Sequence, residues 1–200
     1  PTVTGETNVA GLWLEDVTRW LDVGGPFTLA DGELVADLEV GSAGKPLATL
    51  DARVPLLSDL AAPGPNPDGE TDVRLVLKPG PLERLEHITT EELGLPEGRI
   101  SAVLEVTGQL GDPALRLAGV AETPVEGWVY AGRVEFDMTR DGTDVDLWAA
   151  VREGLSERAV VTGGGTTRME QVFAAAFRDA EMPDTSDLEL WLDNMALSAL

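Results

Sequence analysis

The stretch GQLGDPALRLAG, residues 108–119, places a turn between two runs of alternating residues. Its centre, Gly111-Asp112-Pro113, is typical of a turn. Pro113 lacks an amide hydrogen and therefore belongs at the start of a strand. Before the turn, RISAVLEVTGQL, residues 99–110, has apolar residues at nearly every second position. After it, Leu115 and Leu117 continue the alternation. The stretch therefore predicts an antiparallel hairpin with one apolar face shielded from water and one polar face in contact with solvent. We call these the dry face and the wet face.

The same alternation recurs in GRVEFDMTR, DVDLWAAV and DGELVADLEV, and more briefly in VRLVLK and LELWLD. Asp141-Gly142 lies between two of these runs and predicts a two-residue hairpin loop, because glycine tolerates positive φ. The wet positions are strongly acidic. The chain is therefore predicted to be mainly β, with consecutive antiparallel hairpins. The predicted dry-face residues are Leu34, Leu38, Ile100, Leu104, Val106, Leu115, Leu117, Val134, Phe136, Met138, Val145 and Leu147.

Composition excludes several classes of function. The net charge of −22 over 200 residues disfavours a nucleic-acid partner, because basic residues must replace counterions on phosphate. The absence of cysteine excludes disulfides, thiolate metal sites and cysteine nucleophiles. No run approaches the roughly 20 apolar residues of a membrane-spanning helix. The sequence starts at Pro1 without a methionine and ends inside the patterned run LELWLDNMALSAL, so residues 1–200 are interpreted as a single excised segment of a larger repeat protein.

Loose internal units are predicted near residues 1–60, 70–122 and 126–200, from three similar strand-and-break patterns. One or two short helices are expected as well. Residues 81–94 could hold one or two helical turns, and residues 166–180 are the best helix candidate, with an apolar stripe. The preceding TGGGTT is interpreted as a flexible connection into that helix.

No catalytic site emerges from the sequence, and no cofactor is predicted. Glu86 and His87 form the only pair that a hydrolase could use, but no nucleophile accompanies them. The cluster of Asp137, Asp141, Asp144 and Asp146 could suggest calcium, yet it lacks the twelve-residue loop with a distal glutamate. A solvated strand face explains the cluster better, and cation binding there is left open. The chain is therefore predicted not to be an enzyme.

Two tryptophans, Trp148 and Trp191, fall on nominally wet faces. They could pack under a loop or a helix, or they could mark an interaction patch. The sequence alone leaves both alternatives open.

The segment GRISAVLEVTGQLGDPALRLAGVAE, residues 98–122, resembles the repeating unit of TamB-type translocation and assembly proteins, within the AsmA-like group of bacterial envelope proteins. In that family an alternating strand runs into Gly-x-Leu-x-x-Pro-x-Leu. Gly108, Leu110, Pro113 and Leu115 match this pattern here. GELVADLEVGSAGKPLATLDARVPL and VRLVLKPGPLERL are similar to other stretches of the family. The family's recognisable C-terminal region is absent.

The resemblance implies an elongated, curved antiparallel sheet, a β-taco, whose hydrophobic trough would be lined by the predicted dry-face residues. It further implies phospholipid acyl chains as ligands, and roles in phospholipid transport between the inner and outer membranes and in outer-membrane protein assembly. The parent protein would be anchored in the inner membrane of a diderm bacterium and lie in the periplasm, with an outer-membrane assembly β-barrel as a further partner. The alternative is a closed β-sandwich, serving as a structural or adhesive module on a bacterial surface.

Overall fold

The computed structural model describes most of the chain as strands and their connections. The described residues are 2–12, 21–42, 45–57, 64–82, 97–123, 132–153, 156–167 and 188–197. In chain order the strands are β1 (Val3–Leu12), β2 (Leu21–Ala30), β3 (Glu33–Ser42), β4 (Lys45–Pro55), β5 (Glu70–Pro81), β6 (Arg99–Gln109), β7 (Ala114–Thr123), β8 (Gly132–Asp141), β9 (Asp144–Glu153), β10 (Ser156–Thr167) and β11 (Leu188–Leu197).

All eleven strands form one sheet in sequence order, and each strand is antiparallel to its chain neighbours. The predicted series of antiparallel hairpins is therefore confirmed. Extensive contacts join only neighbouring strands, so the described sheet is open and uncurled. The described strands form no second sheet, which the sandwich alternative requires. The described residues also contain no helix. The rest of the two predicted helical segments, residues 83–94 and 168–180, lies outside the described residues.

Short loops with positive backbone angles set the register of two hairpins. β2 and β3 are joined by Asp31 and Gly32, with φ angles of 52° and 76°, as a type I′ turn requires. The loop between β8 and β9 is Gly142-Thr143, and Gly142 has φ 58°. Asp141 pairs with Asp144 instead of lying in the loop. The predicted loop was therefore wrong by one residue.

The three glycines of TGGGTT lie inside β10, which corrects their interpretation as a flexible connection. Gly163, Gly164 and Gly165 are buried and pair with β9 on one side and β11 on the other. A strand between two partners needs only backbone groups for its ladder, so glycine is tolerated there in spite of its entropic cost.

The turn between β6 and β7, residues 110–113, docks against the segment that leads into β5. The amide of Leu110 donates to the carbonyl of Gly69 at 3.0 Å, and that of Gly111 donates to the carbonyl of Pro67 at 2.7 Å. Leu110 and Pro113 are buried, the latter fully. Gly108 has φ 90°, which favours glycine. The Gly-x-Leu-x-x-Pro spacing thus has a local structural cause.

Arg140 anchors the same turn from β8, and only 4% of it is exposed. Its Nη1 donates to the carbonyl oxygen of Pro113, and its Nη2 donates to Oδ1 of Asp112, both at 2.5 Å. The guanidinium therefore holds the β6–β7 turn against the end of the neighbouring hairpin.

We expect Gly119→Ala to destabilise the sheet. A Cβ at this position would lie 2.7 Å from the carbonyl oxygen of Ser101 and 2.5 Å from Cζ of Phe136. The ring can turn away but the backbone oxygen cannot, so the free energy of unfolding should fall by about 1 to 3 kcal/mol. Urea denaturation measures the change. Ala118→Ser, on the opposite face, should stay within about 0.5 kcal/mol, and equal effects of the two changes would contradict this packing.

Candidate functional surface

Cross-strand register assembles the predicted dry-face residues into continuous rows. The central row, which we call the aliphatic ladder, crosses the sheet from β3 to β9, and each member is the direct partner of the next. Its members are Leu38, Leu50, Leu75, Leu104, Leu117, Met138 and Leu147. Since neighbouring strands lie about 4.8 Å apart, the ladder is roughly 29 Å long.

Further apolar rows flank the ladder on the same face. One row contains Ala36, Ala52, Val73, Val106, Leu115 and Val145, with Arg140 between the last two. Another contains Val40, Ala48, Leu77, Ala102, Gly119, Phe136 and Ala149. Ile100 and Val134 belong to a third row, and Leu34 pairs with Leu29 and Val54. All residues of the predicted dry face therefore share one side of the sheet, which we call the apolar face.

The apolar face is half-buried although no described strand packs over it. Val145 is buried, and the other predicted dry-face residues are of intermediate exposure. Their burial comes from lateral contact with cross-strand neighbours. Val3 and Val9 on the edge strand β1, which has a neighbour on one side only, are 53% and 42% exposed. The face is thus an aliphatic surface that an apolar ligand could reach.

The opposite side of the sheet, which we call the polar face, carries charges of alternating sign. Along one row Asp51, Arg74, Glu105 and Arg116 are successive partners. Arg74 Nε lies 3.4 Å from Glu105 Oε1, and Arg116 Nη2 lies 2.8 Å from Asp137 Oδ2. The hydrogen bond from Arg116 to Asp137 and the carboxylate charge raise the pKa of the guanidinium, so it stays charged. This arrangement suits contact with water.

Several members of the rows were not among the predicted site residues. Leu50 lies in the central ladder, and the alternation of Ala48, Leu50 and Ala52 was a signal that could have found it. Val103 is an apolar residue at a position where the alternation of its strand expects a polar one, and the structure places it on the polar face between Val76 and Ala118.

The structure does not assemble the chemical candidates into a site. Asp137 is paired with Arg116, and Asp141 and Asp144 close a hairpin. Within the described ranges, no group of three or more possible metal ligands comes together. Glu86 and His87 lie outside the described residues, so the hydrolase alternative stays untested.

No family model matches the chain, and no curated protein and no solved structure matches it significantly. The resemblance to TamB-type proteins therefore stays a prediction. None of the described residues forms a helix that could span a membrane.

Proposed function

We propose that the apolar face binds phospholipid acyl chains, and that the chain is a non-enzymatic segment of an envelope protein that transports phospholipid between the inner and outer membranes. The observation that carries this proposal is the aliphatic ladder, which is continuous from β3 to β9 and has no described element over it. A role in outer-membrane protein assembly, with a β-barrel partner, is proposed on the TamB-type resemblance alone.

The chemistry of the apolar face supports a flexible hydrocarbon ligand. Leucine, valine and alanine offer no directional contacts, so they accept acyl chains of different length and position. Each methylene removed from water stabilises the complex by about 0.8 kcal/mol. The bilayer core of about 30 Å holds two opposed acyl chains, so a ladder of roughly 29 Å is long enough for one extended chain.

The polar face and the net charge support the same proposal. Ion pairs such as Lys78–Glu39, at 2.7 Å, keep that side hydrated while the other side stays available. The charge of −22 opposes adsorption to an anionic membrane surface. Selectivity for acyl chains over whole membranes would follow.

We further propose that the open sheet bends into a curved trough around bound acyl chains. A single layer whose strands contact mainly their neighbours has no second layer to resist bending. The periplasmic location, with the parent protein anchored in the inner membrane, rests on the resemblance. The adhesive sandwich alternative would require a second sheet over the apolar face.

Mass spectrometry of an organic extract tests the proposal. The chain, purified without detergent from a diderm bacterium, should yield phospholipid in a constant molar ratio to protein, because desolvation of acyl chains holds them on the apolar face. A protein of similar size and charge, carried through the same purification, sets the background. Extracts at background level, together with a second sheet sealing the apolar face, would exclude lipid binding and favour the sandwich alternative.

A further inference from the structure

A depression of about 710 Å³ lies on the polar face, across the sheet from the proposed lipid surface. We call it the Trp148 depression, and its volume is in the range of small-molecule sites. It contains Trp148, one of the two tryptophans that the sequence analysis assigned to wet faces. The polar residues that line it with Trp148 are Arg116, Asp137, Thr139, Asp146 and Thr162.

The cross-strand register explains why the surface of the sheet is depressed at this point. Thr139, Asp146 and Gly164 are successive partners in one row, so small side chains meet a residue with none. The adjacent row carries Trp148, with Asp137 and Thr162 as its partners. The short side chains of Thr139 and Asp146 beside Trp148 create a step, and Trp148, which is half-buried, lies on one side of that step.

The hydrogen-bonding groups around the step include both donors and acceptors. The Arg116 guanidinium donates two bonds to Asp137, at 2.8 Å and 3.3 Å, and this fork keeps both side chains in place. The hydroxyls of Thr139 and Thr162 can donate and accept. Asp146 forms no ion pair with another described residue, so its carboxylate can accept from a ligand.

Charge decides which class of ligand these groups fit. An anion would meet Asp146 and the field of a chain with net charge −22. A cation would meet the Arg116 guanidinium in the lining and would leave the donors of the site unused. A neutral molecule whose hydroxyls both donate and accept satisfies all of the lining groups, and an apolar ring face can pack on the indole.

We propose that the Trp148 depression binds a neutral saccharide, with the C–H face of one pyranose ring stacked on Trp148 and its hydroxyls bonded to Asp146, Arg116 and the threonines. The proposed contacts all come from side chains of the polar face, and Leu147 of the aliphatic ladder and Gly163 complete the lining. A single ring on an open surface binds weakly, so affinity in the millimolar range is expected for short oligosaccharides.

Calorimetric titration of the full chain with a panel of neutral gluco-, manno-, galacto- and N-acetylglucosamine oligosaccharides tests the proposal. At least one member of the panel should bind, and Trp148→Ala should weaken that binding roughly tenfold. Trp148→Phe keeps an aromatic platform and should stay within about threefold. Arg74→Gln is the matched control, because Arg74 lies on the polar face, pairs with Glu105 and does not line the depression. Saccharide affinity should not change in this variant.

Circular dichroism and urea denaturation confirm that each variant is folded, and Trp148→Phe provides the second readout if Trp148→Ala does not fold. Asp146→Asn separates the ligand classes, because an amide still bonds to hydroxyls but no longer attracts a cation. Saccharide binding should survive this change within about threefold. Failure of the whole panel, an unchanged affinity of Trp148→Ala, or preferential binding of spermidine or inorganic phosphate would overturn the proposal.

Discussion

Leu104→Asp should reduce co-purified phospholipid roughly tenfold while the chain stays folded, with a loss of about 1 to 2 kcal/mol in unfolding free energy. Leu104 lies in the middle of the aliphatic ladder, between Leu75 and Leu117. A carboxylate there interrupts the apolar path, but it can still reach water because the side chain is only half-buried. In a closed core the same carboxylate would unfold the domain.

Val103→Asp is the matched control for this prediction. Val103 immediately precedes Leu104 on the same strand and lies on the polar face, between Val76 and Ala118. The same charge there should leave the lipid content unchanged, because it does not touch the apolar face. Equal loss of lipid from both variants, or global unfolding of Leu104→Asp alone, would contradict an accessible apolar face. Lipid per folded protein and a urea denaturation curve supply the two readouts.

The largest effect on stability is expected for Arg140→Met. Methionine keeps most of the buried apolar volume but removes both donors, which leaves the Pro113 carbonyl oxygen without this partner and frees the turn. The free energy of unfolding should fall by about 2 to 4 kcal/mol, because a buried acceptor loses its bond and a charge-assisted contact is lost. Equilibrium urea denaturation measures the difference.

Two controls separate the role of Arg140 from charge alone. Asp112→Asn keeps an acceptor for Nη2 at a residue whose side chain is 50% exposed, and it should cost less than about 1 kcal/mol. Arg133→Met removes an arginine whose side chain is 44% exposed and pairs with Glu122 and Glu135, and it should cost no more than about 1 kcal/mol. If Arg140→Met were as mild as Arg133→Met, the anchoring of the β6–β7 turn would be wrong.

Period-two alternation predicted most of the fold, because it reports the polarity of each position along a strand. The β6–β7 hairpin, the β8 and β9 strands and the membership of the apolar face all followed from it. The same signal fails at β10, where three glycines carry no side-chain polarity to alternate. The loop after β8 was misplaced by one residue because Asp141-Gly142 and Gly142-Thr143 are both plausible loop pairs until the cross-strand partners are known.

The aliphatic ladder itself could not be predicted from single strands. Its continuity depends on which residue of one strand lies opposite which residue of the next, and irregularities such as the register shift between Leu77 and Gly80 set that match. The anchoring role of Arg140 could not be predicted from the alternation either. It follows Met138 on the apolar face, and the acceptors of its Nη1 and Nη2, the Pro113 carbonyl and Asp112, belong to a different hairpin.

The most direct test of the proposed function is site-specific photo-crosslinking at two adjacent positions in cells. A photoreactive side chain replaces Leu104 in one variant and Val103 in the other, and mass spectrometry identifies the adducts. Acyl chains on the apolar face predict phospholipid adducts at position 104 and background labelling at position 103. Protein adducts at position 104 in place of lipid, or equal lipid labelling at both positions, would contradict it.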